Sequence, residues 1–191
     1  MGGGIAWLFS HKDFKVRMKD ITWDALAKGY QAAAAVYEQL RKRRRYKPNE
    51  IAVKMHKISG GLDYTNFAHT DLVVEAVVEN IDIKKKVLAE TESHLPETAI
   101  LASNTSSLSI TEMATALKRP EKFIGMHFFN PVNRMPLIEV IPGEKTSPET
   151  ITTLMHLSRK LGKTPIVVQN CTGFLVNRDL IPFMNEAALV L

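Results

Sequence analysis

A histidine and a glutamate stand where they could work as an acid–base pair. His127 lies at the carboxyl end of a predicted strand, within MHFFNP (residues 126–131), and ligands of open parallel sheets bind beyond the carboxyl ends of the strands. Histidine is suited to proton transfer because its ring titrates near neutrality. From position alone, a histidine buried in the core is an equal alternative.

Glu139 follows twelve residues later, within LIEVI (residues 137–141). Strand alternation puts it on the same face as Leu137 and Ile141, an apolar setting in which a carboxylate needs a partner. An imidazole that becomes charged during a reaction would serve as that partner. The alternative is an edge strand with Glu139 in water.

A hydroxyl and an amide are the other candidates for chemistry. Ser106 lies in the loop NTSS (residues 104–107), directly after a predicted strand, and Asn177 lies in the first turn of the last predicted helix. Both positions are at element ends, where binding groups concentrate. Loops of this kind are rich in hydroxyls and amides in any protein, so each residue alone is a weak candidate.

The glycines at residues 2–4 could be the end of a dinucleotide-binding loop, which needs glycines so that the backbone can approach a pyrophosphate. If Gly2 is the last glycine of such a motif, Asp20 falls about twenty residues beyond the motif, at the end of a strand. There its carboxylate can accept both ribose hydroxyls of adenosine and repel a 2′-phosphate, which favours NAD over NADP. The alternatives are a tag remnant for the glycines and a helix cap for Asp20.

The elements that must position these residues alternate between strand-like and helix-like patterns, which predicts an α/β fold with a parallel sheet. Leu72–Val78 is nearly continuous β-branched sequence, as in a strand buried on both faces, although Glu75 interrupts it without a local explanation. The other predicted strands are Lys15–Lys19, Ala99–Ala102, Phe123–Phe129, Leu137–Ile141 and Thr164–Val168. The predicted helices are a first one that the glycines at residues 2–4 open, then Trp23–Arg45, Pro48–Lys57, Ile81–Leu95, Ser109–Leu117 and Pro148–Leu161, and a last one that Gly173 opens.

Composition excludes several classes of protein. A hydrophobic content of 45% with 24% charged residues is typical of a globular chain, and no apolar run is long enough to span a bilayer. The first residues do not have the pattern of a secretory signal, so we expect none, and a single cysteine, Cys171, fits a reducing compartment. The basic run at residues 41–45 is interpreted as the solvated end of a helix, not as a nucleic-acid surface. The histidine spacing indicates no metal site.

Four segments occur together and in order: SNTSSL (residues 103–108), HFFNPV (residues 127–132), LIEVI (residues 137–141) and GFLVNR (residues 173–178). With them, the sequence closely resembles the L-3-hydroxyacyl-CoA dehydrogenase family over essentially its whole length. MGGGIA (residues 1–6) and VVEAVVEN (residues 73–80) are most similar to the dehydrogenase region of the multifunctional fatty-acid oxidation α-subunit.

The resemblance implies NAD-dependent oxidation of a 3-hydroxyacyl-CoA to a 3-ketoacyl-CoA. It implies that His127 is the catalytic base, that Glu139 is its carboxylate partner, and that Ser106 and Asn177 contact substrate. By the same resemblance, the residues that line the NAD site are Gly2 and the following positions: Met1, Asp20, Val77, Val78, Glu79, Lys84, Ser106 and Asn130.

The resemblance further implies a Rossmann-like doubly wound sheet over residues 1–172 and the start of an all-helical dimerisation and substrate domain over residues 173–191. The first strand of that sheet, the first two glycines and the rest of the helical domain are expected outside the chain. The implied partners are a second copy or a complex with a thiolase subunit, in the bacterial cytoplasm or the mitochondrial matrix. The alternatives are an inactive fragment, a crystallin-like structural relative, and a dehydrogenase of short free 3-hydroxy acids.

Overall fold

The computed structural model describes residues 1–190, and within them the chain forms an α/β fold of seven α-helices and seven strands. The helices are α1 (Gly2–His11), α2 (Trp23–Lys42), α3 (Pro48–Met55), α4 (Ile81–Glu92), α5 (Ile110–Ala114), α6 (Pro148–Lys160) and α7 (Val176–Leu189). The strands are β1 (Val16–Lys19), β2 (Ile58–Gly61), β3 (Leu72–Glu75), β4 (Ile100–Ser103), β5 (Phe123–Phe128), β6 (Leu137–Pro142) and β7 (Thr164–Val167). Among residues 1–190, no helix combines the length and the apolar character that crossing a membrane requires.

The chain divides into two compact units. The first comprises Met1–Asn66, Phe128–Pro136 and Lys160–Gly162, and in it β1 and β2 pair in parallel, from Val16 opposite Ile58 to Lys19 opposite Gly61. Helix α1 packs so closely on α2 that a Cβ at Gly3 would overlap the carbonyl oxygen of Gly29. A glycine is therefore required at this helix crossing.

Strand β2 was not predicted from the sequence. Of its four residues, ISGG, one (Ile58) is β-branched and two are glycines, which are depleted in strands. A Cβ at Gly60 would lie 2.9 Å from both terminal carbons of Leu26 on α2. The strand therefore carries glycine because the helix lies directly against its backbone, and that reason is not visible in the local sequence.

The second unit comprises Phe67–His127, Leu137–Arg159 and Lys163–Leu191. Its five strands lie in the order β3-β4-β5-β6-β7, and β3–β4, β4–β5 and β6–β7 pair in parallel. The predicted α/β class with a mainly parallel sheet is confirmed. One hydrophobic cluster in the core of this unit contains nine buried side chains, which come from its strands, helices and loops: Leu88, Leu101, Ile110, Met113, Ala114, Phe123, Ile141, Val168 and Phe174.

The predicted elements are present, and their ends shift by a few residues. The largest difference in a strand is β3, which ends at Glu75 and not at Val78. The Glu75 carboxylate accepts the backbone N–H of Val77 at 2.6 Å, and this bond turns the chain out of the sheet. Residues 76–80 therefore form a loop before α4, which Asn80 caps by accepting the N–H groups of Asp82 and Ile83.

Candidate active site

His127 and Glu139 form a buried pair in the second unit. His127 Nδ1 lies 2.7 Å from Glu139 Oε2, and the two residues are 6% and 0% exposed. They come from neighbouring strands, β5 and β6. Strand β6 lies between β5 and β7, so the alternative of an edge strand with Glu139 in water is wrong.

The second oxygen of Glu139 binds the start of α7. Oε1 accepts the backbone N–H groups of Leu175 at 3.1 Å and Val176 at 2.9 Å. The positive end of a helix dipole stabilises a carboxylate placed there. One buried carboxylate therefore connects the histidine of β5 to the N-terminus of α7.

A strained turn precedes α7. Gly173 and Phe174 have φ angles of +75° and +51°, and the left-handed region is costly for a residue with a large side chain. The Phe174 ring lies 5.9 Å from the ring of His127, centroid to centroid. The turn thus places the Phe174 ring beside the His127 imidazole. It also directs the backbone N–H groups of the next two residues to the Glu139 carboxylate. Gly173 was the sequence signal for a helix start, but nothing local indicated this role for Phe174.

The hydrogen bond to Glu139 determines which nitrogen of His127 can react. With Glu139 as the carboxylate, Oε2 can only accept, so Nδ1 of His127 carries the hydrogen and donates it. The second ring nitrogen, Nε2, then holds the lone pair. This is the tautomer that a general base needs when the orienting carboxylate binds the other nitrogen.

Ser106 and Asn177 lie together, although 71 residues separate them in the sequence: the Asn177 side-chain amide donates to the backbone carbonyl oxygen of Ser106 at 3.2 Å. Both residues are half-buried. The first turn of α7 therefore carries Asn177 to the loop after β4, while the residues just before it bind Glu139. The start of α7 thus brings the His127–Glu139 pair and the Ser106–Asn177 pair close together within one unit.

Glu79 binds the same loop. Its Oε1 accepts from the Thr105 hydroxyl at 2.6 Å and from the Ser106 amide and hydroxyl at 2.8 Å and 3.2 Å, and its Oε2 lies 3.3 Å from the Lys84 ammonium. Partial burial alone would raise the pKa of Glu79, but the hydrogen bonds from Thr105 and Ser106 and the charge of Lys84 lower it below its usual value. Glu79 is thus held as an anion beside Ser106.

Two residues at this place were missed from the sequence as site residues. Glu75 is buried and accepts the Lys84 ammonium at 2.8 Å and the Ser103 hydroxyl at 2.6 Å. Thr105 is also buried, and its hydroxyl accepts the N–H of Leu108 at 2.9 Å while it donates to Glu79. The one signal for Glu75 was a charge inside an apolar strand, and its partners lie 9 and 28 residues away.

The first unit carries the candidates for a dinucleotide's adenosine and pyrophosphate. Helix α1 begins at Gly2 without a side-chain cap and without an acidic residue in its first turn, and a Cβ at Gly2 would meet no atom within 4 Å. Such an open helix N-terminus suits an anion. Thr22 caps α2, so the alternative of Asp20 as that cap is wrong, although Asp20 does accept the N–H of Ile21 at 2.8 Å.

The remaining predicted NAD-site residues differ in exposure. Val77 and Val78 are exposed in the loop before α4, and Met1 and Asn130 are exposed in the first unit. Lys84, in contrast, is 1% exposed, with its ammonium on Glu75. In the first unit, the open N-terminus of α1 and the Asp20 carboxylate match the phosphate and ribose groups of NAD in type. In the second unit, the anionic Glu79 beside hydroxyls matches polar groups of the same cofactor, so the residues of each unit fit NAD in chemical type.

The sequence matches the family "3-hydroxyacyl-CoA dehydrogenase, NAD binding domain" over residues 1–171, so the cofactor is NAD. The fatty acid oxidation complex subunit alpha of Acinetobacter baumannii is 50% identical over 190 residues, which is 100% of this chain and 26% of that protein. The protein of the same name from Psychrobacter cryohalolentis is 49% identical over 100% of this chain and 27% of its own length. The chain thus spans about a quarter of these relatives.

Solved structures give the same result. The (S)-3-hydroxybutyryl-CoA dehydrogenase of Ralstonia eutropha superposes with a TM-score of 0.94 and 43% identity, over 98% of this chain and 66% of that one. The 3-hydroxybutyryl-CoA dehydrogenase of Escherichia coli superposes with a TM-score of 0.93 and 33% identity, over 98% of this chain and 40% of that one. The chain has a Rossmann-like fold and belongs to the 3-hydroxyacyl-CoA dehydrogenase family, of which it contains the NAD-binding domain.

Proposed function

We propose that this protein oxidises L-3-hydroxyacyl-CoA to 3-ketoacyl-CoA with NAD, and that His127 is the general base. The observation that carries the proposal is the buried His127–Glu139 pair, whose carboxylate is also fixed by two amides of α7. A base with an orienting partner is the arrangement that proton abstraction from a hydroxyl requires. The family membership supports the same chemistry.

NAD supplies the hydride acceptor when it is bound. The protein must then remove a proton and hold the substrate. Nε2 of His127 takes the proton of the substrate's 3-hydroxyl group, and the imidazolium that forms is stabilised by Glu139. Ser106 and Asn177 lie together at the end of β4 and the start of α7, where their polar groups would hydrogen-bond the substrate oxygens. A fixed set of hydrogen-bonding groups of this kind lowers the entropic cost of reaching the reacting geometry.

The assay that tests this proposal uses the complete gene product with NAD and three compounds: an L-3-hydroxyacyl-CoA, its D isomer and the free 3-hydroxy acid. Formation of NADH should be rapid with the L thioester and much slower with the other two. NADH formed mainly from the free acid would show that the protein is a dehydrogenase of short 3-hydroxy acids. No turnover of any compound by a folded, NAD-binding protein would support the crystallin-like alternative.

The wider assignments belong to this proposal. We place the NAD-binding domain at residues 1–172 and the start of a helical domain at residues 173–191, of which Leu191 lies outside the described residues. The curated relatives are named as subunits of a fatty acid oxidation complex. That name supports a larger assembly, in which we propose a thiolase subunit as the partner, and their bacterial origin supports a cytoplasmic location.

Asp20 should set the choice between NAD and NADP. Replacing it with alanine removes the charge that repels a 2′-phosphate, so the preference for NAD over NADP, measured as the ratio of kcat/KM values, should fall by about tenfold or more. The matched control is Thr22→Ala, which removes the cap of α2 and should cost about 1 kcal/mol of stability but leave that ratio unchanged. An unchanged ratio in Asp20→Ala would exclude this carboxylate from cofactor selection.

A further inference from the structure

A chain of ionic hydrogen bonds runs from the end of β3 to Ser106. Glu75, the last residue of β3, holds the Lys84 ammonium at 2.8 Å, and Lys84 also lies 3.3 Å from Glu79 Oε2. Glu79 in turn binds the amide and the hydroxyl of Ser106. Every member lies in the second unit, and the charges alternate along the chain: negative, positive, negative.

Stability alone does not explain this arrangement. Lys84 is 1% exposed and Glu75 is 5% exposed, and removing two charges from water costs about as much as their attraction returns. Apolar side chains of similar size at such positions are often neutral or stabilising. The free energy of folding therefore does not account for this buried ion pair. The backbone conformation that the pair fixes is the better explanation for its presence.

What the pair fixes is the loop that carries Glu79. Glu75 accepts the Val77 N–H at 2.6 Å, and the Lys84 ammonium donates to the Val77 carbonyl oxygen at 3.3 Å. The backbone N–H and carbonyl groups of Val77 are thus both hydrogen-bonded to the ion pair. Glu75 also pairs with Ser103 across the strands, through its backbone register and through the 2.6 Å side-chain bond. The ends of β3 and β4 and the first turn of α4 are joined at one carboxylate.

The consequence reaches the hydroxyl of Ser106. An anionic Glu79 only accepts, so Ser106 donates its hydroxyl hydrogen to Glu79 and presents oxygen lone pairs on its other side. The orientation of this hydroxyl depends on the position of Glu79, which Lys84 holds by charge. Since Lys84 is held by Glu75, the position of Ser106 depends on a residue that is not in contact with it.

We propose that Glu75 is a positioning residue: through Lys84 and Glu79 it holds the Ser106 hydroxyl in the orientation that the reaction uses. The importance of that orientation for turnover rests on the proposed function, whereas the physical link from Glu75 to Ser106 does not. Two different readouts can therefore test the two statements separately.

The first readout is amide hydrogen exchange in the segment 104–108 of the complete gene product. Glu75→Gln keeps the shape and removes the charge, so exchange in this segment should accelerate about ten- to a hundredfold, as expected when one charge-assisted hydrogen bond is weakened. The matched control is Glu92→Gln. Glu92 is also buried, and it accepts the N–H groups of Lys118 and Arg119 at 2.8 Å. Its loss should leave exchange in the segment 104–108 unchanged.

A second variant separates positioning from stability. The double substitution Glu75→Leu with Lys84→Met removes both buried charges and leaves neither unpaired, so it should fold even if Glu75→Gln does not. Exchange in the segment 104–108 should still be fast in this variant, because Glu79 has lost its cation. Wild-type exchange in the apolar variant would overturn the proposal, since it would show that the pair only fills space.

The second readout is kinetic coupling to Ser106. Glu75→Gln should lower kcat/KM by about 10²-fold, the scale expected when a reacting group is displaced by roughly 1 Å. In a Ser106→Ala background the same substitution should have little further effect, because both changes act on one group. Additive losses would contradict the kinetic part of the proposal. An inactive wild-type protein would instead refute the proposed function, and the exchange experiment would still decide the link.

Discussion

Replacing His127 with glutamine is expected to lower kcat by about 10²- to 10⁴-fold, the usual contribution of a general base. Glutamine retains hydrogen-bonding groups but has no nitrogen that can accept a proton at neutral pH. The cofactor residues that we assign do not include His127, so the dissociation constant for NAD should change little. Steady-state kinetics and calorimetry on the complete gene product measure the two quantities.

The control for this experiment is His156→Gln. His156 lies exposed on α6, and it should tolerate the same substitution without loss of kcat. Thermal unfolding of both variants separates loss of chemistry from loss of fold. If His127→Gln keeps most of the wild-type kcat, the proton must pass to another group and our assignment of the base is wrong.

Glu139→Gln should be nearly as damaging, for a reason that the hydrogen bonds define. Oε1 accepts two N–H groups, from Leu175 and Val176. In glutamine only the carbonyl oxygen can accept them, so the amide NH₂ must take the place of Oε2 and face Nδ1 of His127. Nδ1 then becomes the acceptor and Nε2 carries the hydrogen. The imidazole is locked in the tautomer that cannot take a proton from substrate, and kcat should fall by about 10²- to 10⁴-fold.

The tautomer can be observed directly. In protein labelled with ¹⁵N at histidine, the wild-type resonances of His127 should show hydrogen on Nδ1, and those of Glu139→Gln should show it on Nε2. Asp82→Asn, which removes an exposed carboxylate near the start of α4, is the control and should change neither the tautomer nor the rate. A Glu139→Gln variant with the wild-type tautomer and rate would mean that the carboxylate does not orient the base.

The local sequence determined most elements and the residues at their ends. Alternating or continuous apolar runs give strands because side-chain direction has a period of two, and periodic apolar residues give helices. The positions of His127 and Ser106 at the ends of such runs made them candidates without any tertiary information. Strand β2 was missed because two of its four residues, ISGG, are glycines, which strands disfavour. Glycine occurs there because Leu26 packs against the backbone at Gly60.

Only the tertiary structure decided which polar groups meet. Glu139 receives its partners from β5 and from residues 36 and 37 positions downstream, and Glu75 forms its ion pair within a turn that shortens the predicted strand. Backbone periodicity places a side chain on a face of its own strand or helix, but hydrogen bonding requires a second element at about 3 Å. The sequence could therefore show that these carboxylates needed partners, while the folded chain alone determined that Glu139 would hold His127 and that Glu75 would hold Lys84.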